Sequence, residues 1–458
     1  MVRTLLCLLF VASLLTPAHA QDGGHKIFVP ALMRENPLRN VFGVESNNLV
    51  ATSAAIKDLG ATWVRKNGLL WSKVEPTQGV RDWGAVAALE SELRAAHSAG
   101  FQVILIVRSA PAWAQQIDGK SCGPIKAAAL PAFAAFIHDA VQRYSTSDYN
   151  VLHWEIWNEP DVDASISSGS EPYGCYGDQN DVYFGGAAYA NMLSAVYPQV
   201  KSAHPAAKVV FGGLLLDCPP ENLRVPSTNC SPQRRNSAKF LEGVLQAGGA
   251  AWFDIANVHS YDYFGAPGRY NDLNWGNTES DGPLLLRKIA FMHEVLGRYG
   301  AADKPIMNTE TAVICYGCRN LQKLEDTKLA NAYYLVQSFA AAKAVDLLAN
   351  VHYSYEGWNG SGLASGGTKF VSYGAYALAA EKLGSARYVA PITPSDVGGA
   401  VDVGGYKFTR NGKVLWVLWS TSGVTRTLTL TGSPTFTGAL GGNLSGTVGY
   451  EPVYVEWP

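Results

Sequence analysis

His153-Trp154-Glu155-Ile156-Trp157-Asn158-Glu159-Pro160-Asp161 is the stretch whose reading decides the fold. Trp and Ile favour a pleated, buried strand. Pro160 cannot donate to a ladder and closes that strand. The run therefore reads as a β-strand whose carboxyl end carries Asn158 and Glu159. Lys304-Pro305-Ile306-Met307-Asn308-Thr309-Glu310 repeats the grammar, a short apolar strand tipped by a glutamate. In a (β/α)8 barrel, polar groups at strand carboxyl ends form the catalytic face. Two strand-tip glutamates are the carboxyl pair that glycoside hydrolysis requires.

Working outward, strand and helix patterns alternate, which implies a parallel sheet with helical crossovers. The other strands are expected at 41–44, 62–65, 102–107, 208–211, 253–261 and 350–355. Helices are expected at 52–59, 83–99, 131–144, 187–203, 237–246, 284–299, 329–344 and 374–383. Eight strands in order make an α/β, (β/α)8 TIM barrel the economical fold, over residues 21–387. Within it, 21–39 is polar and irregular, with Phe28-Val29-Pro30 as an edge strand. The segments 161–184 and 214–235 read as long loops, which in compact domains usually serve function. Their length suits either the walls of a groove that holds several sugars or a closure of one end into a pocket. Residues 388–458 change texture to β-branched and alternating runs, with Asn411-Gly412 as a hairpin turn. This predicts a small C-terminal all-β sandwich.

With both motifs placed, the chain resembles the clan A retaining glycosidases. The Trp-Glu-Ile-Trp-Asn-Glu-Pro-Asp form is most similar to glycoside hydrolase family 39, with family 5 as a neighbour. The resemblance implies Glu159 as acid/base and Glu310 as nucleophile, acting by double displacement. The acid needs a raised pKa, chiefly from neighbouring negative charge and desolvation. Asn158 would hold the sugar's 2-hydroxyl. His259 and Tyr261 share parity on strand six and face one side, and the resemblance puts the Tyr261 phenol against the nucleophile. Arg65, ending strand two, would hold Glu310 ionised or pair structurally with Glu155. Glu155 itself reads as a buried partner of the site. Trp358, after strand eight, would stack on the reacting sugar. Trp71, Trp113, Tyr173 and Trp275 are weaker candidates for outer subsites. Core packing is the competing reading for each of these aromatics. The resemblance implies a carbohydrate substrate and no cofactor, and the chain shows no metal-binding motif. A family-5-like endo-β-glucanase or mannanase is the alternative within enzymes. A carbohydrate-binding barrel without catalysis is the alternative outside them.

Composition narrows the class. Hydrophobic residues make up 47% of 458 and charged ones 16%, enough to bury a large core. A net charge of −2 with no long run of one sign argues against nucleic acid or an anionic membrane as partner. Residues 1–20 read as a secretory signal, with Arg3, the apolar run Leu5 to Leu15 and the cleavage site Ala18-His19-Ala20. That run is too short to span a membrane. The expected location is therefore secreted or periplasmic. Cys7 leaves with the signal, so Cys122, Cys175, Cys218, Cys230, Cys315 and Cys318 remain, an even set in an oxidising compartment. Six cysteines allow 15 pairings. On the barrel reading all six follow strands three, four, five and seven, on the catalytic face. Cys218–Cys230 and Cys315–Cys318 are expected as local closures and Cys122–Cys175 as a link between loops. Cys315-Tyr316-Gly317-Cys318 also has the spacing of a redox pair or half a zinc site.

Overall fold

A computed structural model describes residues 39–168, 173–223, 229–276, 281–318 and 320–458. The expected signal segment and the edge strand at Phe28-Val29-Pro30 lie outside the described residues. Eight parallel strands follow in chain order: β1 (Phe42–Glu45), β2 (Trp63–Leu70), β3 (Gln102–Arg108), β4 (His153–Ile156), β5 (Lys208–Phe211), β6 (Ala256–Ala266), β7 (Ile306–Ile314) and β8 (Asn350–His352). They pair in the order β5-β4-β3-β2-β1-β8-β7-β6. Parallel bridges Val210↔Ile255 and Leu214↔Val258 join the β5 segment to β6. The sheet thus closes on itself, and the (β/α)8 barrel is the fold.

The principal helices are α1 (Leu49–Asp58), α2 (Ala87–Ala99), α3 (Leu130–Tyr144), α4 (Gly186–Ala203), α5 (Phe240–Gln246), α6 (Leu285–Arg298), α7 (Leu321–Ala344) and α8 (Val371–Leu383). Strand β3 is a continuous apolar run because both its faces are covered. Helix α3 carries Pro131 in its first turn and buries Phe133, Phe136, Ile137, Ala140, Val141 and Tyr144 along one stripe. Gly100, at φ 83°, closes α2 in a left-handed conformation and donates to Ala96 and His97 carbonyls.

Trp63, Ile104, Val210, Ile255, Met307, Ala349 and Val351 fill one layer inside the barrel. Two residues further along the strands, the interior turns polar: Trp63 gives way to Arg65, and His153 to Glu155. A period of two keeps each pair on one face.

Two strands are longer than their sequences suggest. Arg65 does not end β2, which runs on to Leu70. Lys66 and Asn67 interrupt the apolar pattern, but both are paired: Lys66 with Glu92 and Asn67 with Arg108. Likewise Glu310 is not a strand tip. All nine residues of β7 are buried, and the strand continues for four residues past it. Strand β8 is shorter than expected and stops at His352, and α7 begins earlier, at Leu321. Strand β6 overshoots and folds back antiparallel through Arg269–Asn271, so the sheet is not wholly parallel.

The C-terminal region is an antiparallel all-β unit. Its five-stranded sheet comprises β9 (Arg387–Pro391), β10 (Val403–Arg410), β11 (Lys413–Ser420), β12 (Thr435–Gly438) and β13 (Val453–Glu456), ordered β9-β10-β11-β13-β12. Asn411 and Gly412 both have positive φ in the β10–β11 turn, as a two-residue hairpin requires. One face packs with Leu428 and Val448 around Leu418, Val453 and Val455. Phe408, Leu415, Val417 and Tyr454, on the other face, join the core of the barrel. Beyond the sheet a short ladder pairs Arg426–Thr427 with Thr447–Val448. A 3-10 turn at Pro394–Val397 breaks the all-β texture once.

Among the described residues no helix is long and apolar enough to cross a membrane. The cysteines pair as Cys122–Cys175, Cys218–Cys230 and Cys315–Cys318. All three bridges lie beyond strand carboxyl ends. The first spans 53 positions and the last three. Loop-closure entropy then predicts a loss of about 4 kcal/mol when Cys122 and Cys175 are both replaced by Ser, against about 2 kcal/mol for the Cys315/Cys318 double replacement. Denaturant unfolding of the two double variants checks the order; an equal or reversed order would show that chain entropy is not what these bridges supply.

Candidate active site

Arg65 rises from β2 into the barrel and is fully buried. Its Nε and Nη2 grip Glu155 of β4 at 2.8 Å each, a bidentate pair. Nη2 also donates to Asn158 Oδ1 at 2.6 Å. Nη1 donates to Glu45 of β1 at 2.7 Å and to Glu310 of β7. Arg65 therefore contacts Glu155 and Glu310 at once. Burial alone would lower its pKa, but the three carboxylates hold it well above the usual value.

Glu310 reaches the cavity through a bulge. On β6 and β7, Val258 pairs with Asn308 but His259 pairs with Glu310. Strand β7 thus holds one extra residue at this step. Strict alternation from inward Met307 would turn Thr309 inward and Glu310 outward. The extra residue reverses that, and Glu310 meets Arg65, with Tyr261 Oη donating to its other oxygen. Burial beside Glu310 pushes the Tyr261 phenol well above its ordinary pKa, so it remains a donor.

Glu159 sits on a strained turn. Trp157 has φ 70° and Glu159 φ 43°, both left-handed, at a cost on the order of 1–3 kcal/mol each. The turn is held from three sides. Trp157 N donates to Val107 O at 2.8 Å, its indole donates to Cys122 O at 2.7 Å, and Glu159 N donates to Gly213 O at 3.0 Å. Cys122 is fixed in turn by its bridge to Cys175. Burial raises the Glu159 pKa to about 7, with Arg65 and Lys288 pulling the other way. Burial therefore leads, ahead of the neighbouring negative charge expected from sequence.

His259 links the pair. Its Nδ1 lies 2.9 Å from Glu159 and 3.5 Å from Glu310, and Nε2 lies 3.1 Å from Thr309 Oγ1. Burial lowers its pKa to about 4. Gly213 is pressed against this ring: a Cβ there would fall 2.0 Å from Nε2. One oxygen of each glutamate and one His259 nitrogen all lie within 4.8 Å of one another. These three atoms have the donor types for a divalent cation, but Arg65 already occupies one side of Glu310 with positive charge.

Trp358 is 46% exposed, its ring 6.3 Å from that of Tyr261 and at 78° to it, at the open side of the site. Trp71 and Trp275 do not belong there. Trp71 is buried against Trp113 and Phe133 with its indole on Glu75, and Trp275 is buried against Phe291 with its indole on the Leu216 carbonyl. Both are core residues, because an accessible face is what sugar stacking needs. Trp113 is half-buried on the Glu75 carbonyl, and Tyr173 is half-buried in the loop after β4. Cys315 and Cys318 are bridged to each other, which leaves no thiolate for a metal.

Three residues join the site that were not among the sequence candidates. Glu45 ends β1 as a carboxylate at a strand's carboxyl end, the same signal that marked Glu159. Lys288 of α6 is buried and donates to Leu215 O and His259 O, at 2.6 and 2.9 Å. Its helix pattern contains no hint of this. Asp161 accepts from Leu215 N and Leu216 N at 2.9 and 2.7 Å, tying the loops after β4 and β5 together.

No protein-family model matches the chain, and no curated protein matches it. Solved structures do share its fold. One is a family 39 glycoside hydrolase from the gut symbiont Bacteroides cellulosilyticus WH2: 18% identity, TM-score 0.65, covering 93% of this chain and 81% of that one. A family 30 endoxylanase from Clostridium papyrosolvens C71 gives 13% identity and TM-score 0.58, covering 92% and 97%. A monomeric β-xylosidase from Caulobacter crescentus CB15 gives 15% identity and TM-score 0.56, covering 92% and 96%.

The His259 environment makes a measurable prediction. Its imidazole should titrate near pH 4 in the folded protein, against 6.5 for an ordinary histidine. Between those values the unfolded chain binds the proton and the folded chain does not, so this group removes stability as pH falls from 6.5 toward 4. NMR titration of the ring protons checks it, and a midpoint near 6.5 would contradict the buried, neutral ring.

Proposed function

We propose that the protein is a retaining glycoside hydrolase that cleaves a poly- or oligosaccharide by double displacement. The observation that carries this reading is the spacing of the two glutamates, with oxygens within 4.8 Å of each other. Retaining pairs stand roughly 5–5.5 Å apart and inverting pairs roughly 6.5–9.5 Å, because inversion must fit a water between sugar and base.

The surroundings divide the labour. Glu159, with a pKa raised to about 7, holds a proton near neutrality for the leaving oxygen. Glu310, gripped by Arg65 and Tyr261, has both oxygens fixed for attack on the anomeric carbon. Once sugar esterifies Glu310, its charge is gone and Glu159 loses a proton more readily. It then serves as base for water. His259 orients Glu159, and Trp358 offers an open aromatic face to the sugar ring. Fold likeness to glycoside hydrolases and the three disulfides support an exported carbohydrate-active enzyme. The chemistry balances with water as the only co-reactant.

Two experiments test the assignment. Glu310→Gln should lose activity on every glycoside, by roughly a thousandfold or more, since attack itself is lost. Glu159→Ala should still form the glycosyl-enzyme from aryl glycosides with good leaving groups but turn over slowly, and azide should restore its turnover. NMR of the first-formed anomer should show retention. Azide rescue of Glu310→Gln in place of Glu159→Ala, or an inverted first product, would overturn the roles.

The pH profile gives the second test. Protonated Glu159 is the active form, so kcat/KM should fall as pH rises through about 7. The fall should be steep for poor leaving groups and shallow for dinitrophenyl glycosides, which need little protonation. An alkaline limb that survives in Glu159→Ala would assign it to another group.

A further inference from the structure

Three carboxyls, not two, open onto this cavity. Side-chain exposure is 10% for Glu45, 11% for Glu310 and 12% for Glu159, whereas Glu155 is fully enclosed. Glu155 spends both oxygens on the Arg65 fork. Among the described residues Glu45 spends only Oε2, on the same Nη1 that holds Glu310. Strand β1 stands between β2, which bears Arg65, and β8, which leads to Trp358. Glu45 is therefore on the wall that carries the nucleophile's guanidinium and the stacking aromatic, across the barrel from β4 and the acid. That wall is where the edge remote from the leaving group would lie for a sugar with its anomeric carbon over Glu310 and a face on Trp358.

We infer that Glu45 is a substrate-binding residue, whose Oε1 hydrogen-bonds a ring hydroxyl at carbon 3 or 4 of the sugar that Glu310 attacks. This rests on the glycosidase reading and adds a determinant of sugar identity to it. Burial pushes the Glu45 carboxyl up to about 7, so near neutrality it presents either a donor or an acceptor. A sugar hydroxyl can answer both.

The test uses the full-length protein and a panel of 2,4-dinitrophenyl glycosides (gluco, xylo, galacto and manno). The fastest substrate of the wild type is then compared with its 3-deoxy and 4-deoxy forms. Glu45→Ala should lower kcat/KM on the parent by about ten- to a hundredfold, the worth of a hydrogen bond to a charged group. On one deoxy analogue that loss should vanish. Glu45→Gln keeps an oxygen for Arg65 and should show the same selective pattern with a smaller loss, and it carries the test if the alanine variant does not fold. An equal loss on parent and both analogues would mean that Glu45 acts only through Arg65 and would overturn the inference while the glycosidase reading stands. Unchanged kinetics in both variants would do the same. A wild type that cleaves no member of the panel or any polysaccharide would bring down both.

Discussion

A single guanidinium carries the interior of this barrel. Arg65 binds groups from β1, β4 and β7 and the turn after β4. Taking such an ion out of water costs several kcal/mol, which only near-complete pairing repays. Here every nitrogen of the fork finds an acceptor, and the acceptors come from strands far apart in sequence. Removing one partner of a buried pair typically costs about 3–5 kcal/mol. The arrangement therefore ties barrel closure and glutamate placement to the same atoms.

The charge count sets how unequally the neighbouring carboxyls are paired. One Arg65 cannot neutralise Glu45, Glu155, Glu310 and Glu159 together. Glu155 and Glu310 take its strongest contacts. Glu159 receives no bond from it and lies 2.9 Å from Nδ1 of neutral His259 instead. Burial then dominates and the proton stays on to about pH 7. One cation is shared unequally among carboxyls that stand on strands of the same kind.

Much of this was legible in the chain. The order of eight strands, the Asn158-Glu159 tip and the parity of His259 and Tyr261 all follow from local pattern. What stayed hidden depends on partners that are distant in sequence. Lys66 looks like a strand breaker until Glu92 is seen to pair it. Trp71 and Trp275 look like sugar platforms until Phe133 and Phe291 cover them. Glu45 was within reach, since it ends β1 as Glu159 follows β4. Lys288 was not, because a buried lysine on a helix leaves no periodic trace.

The extra residue in β7 has a consequence for how such a molecule can diverge. With one residue fewer, Thr309 would stand where Glu310 now stands, and the carboxylate would point into the helical layer. No compensating substitution nearby restores it, because the count of residues and not their chemistry sets the facing. Length is thus locked in the wall of the barrel. The segments beyond β4 and β5 are held instead by side chains, Cys175 to Cys122 and Asp161 to the Leu215 and Leu216 amides, and their length sets the facing of no wall residue. Insertions and deletions can accumulate there and reshape what the molecule recognises, while the wall admits only replacements.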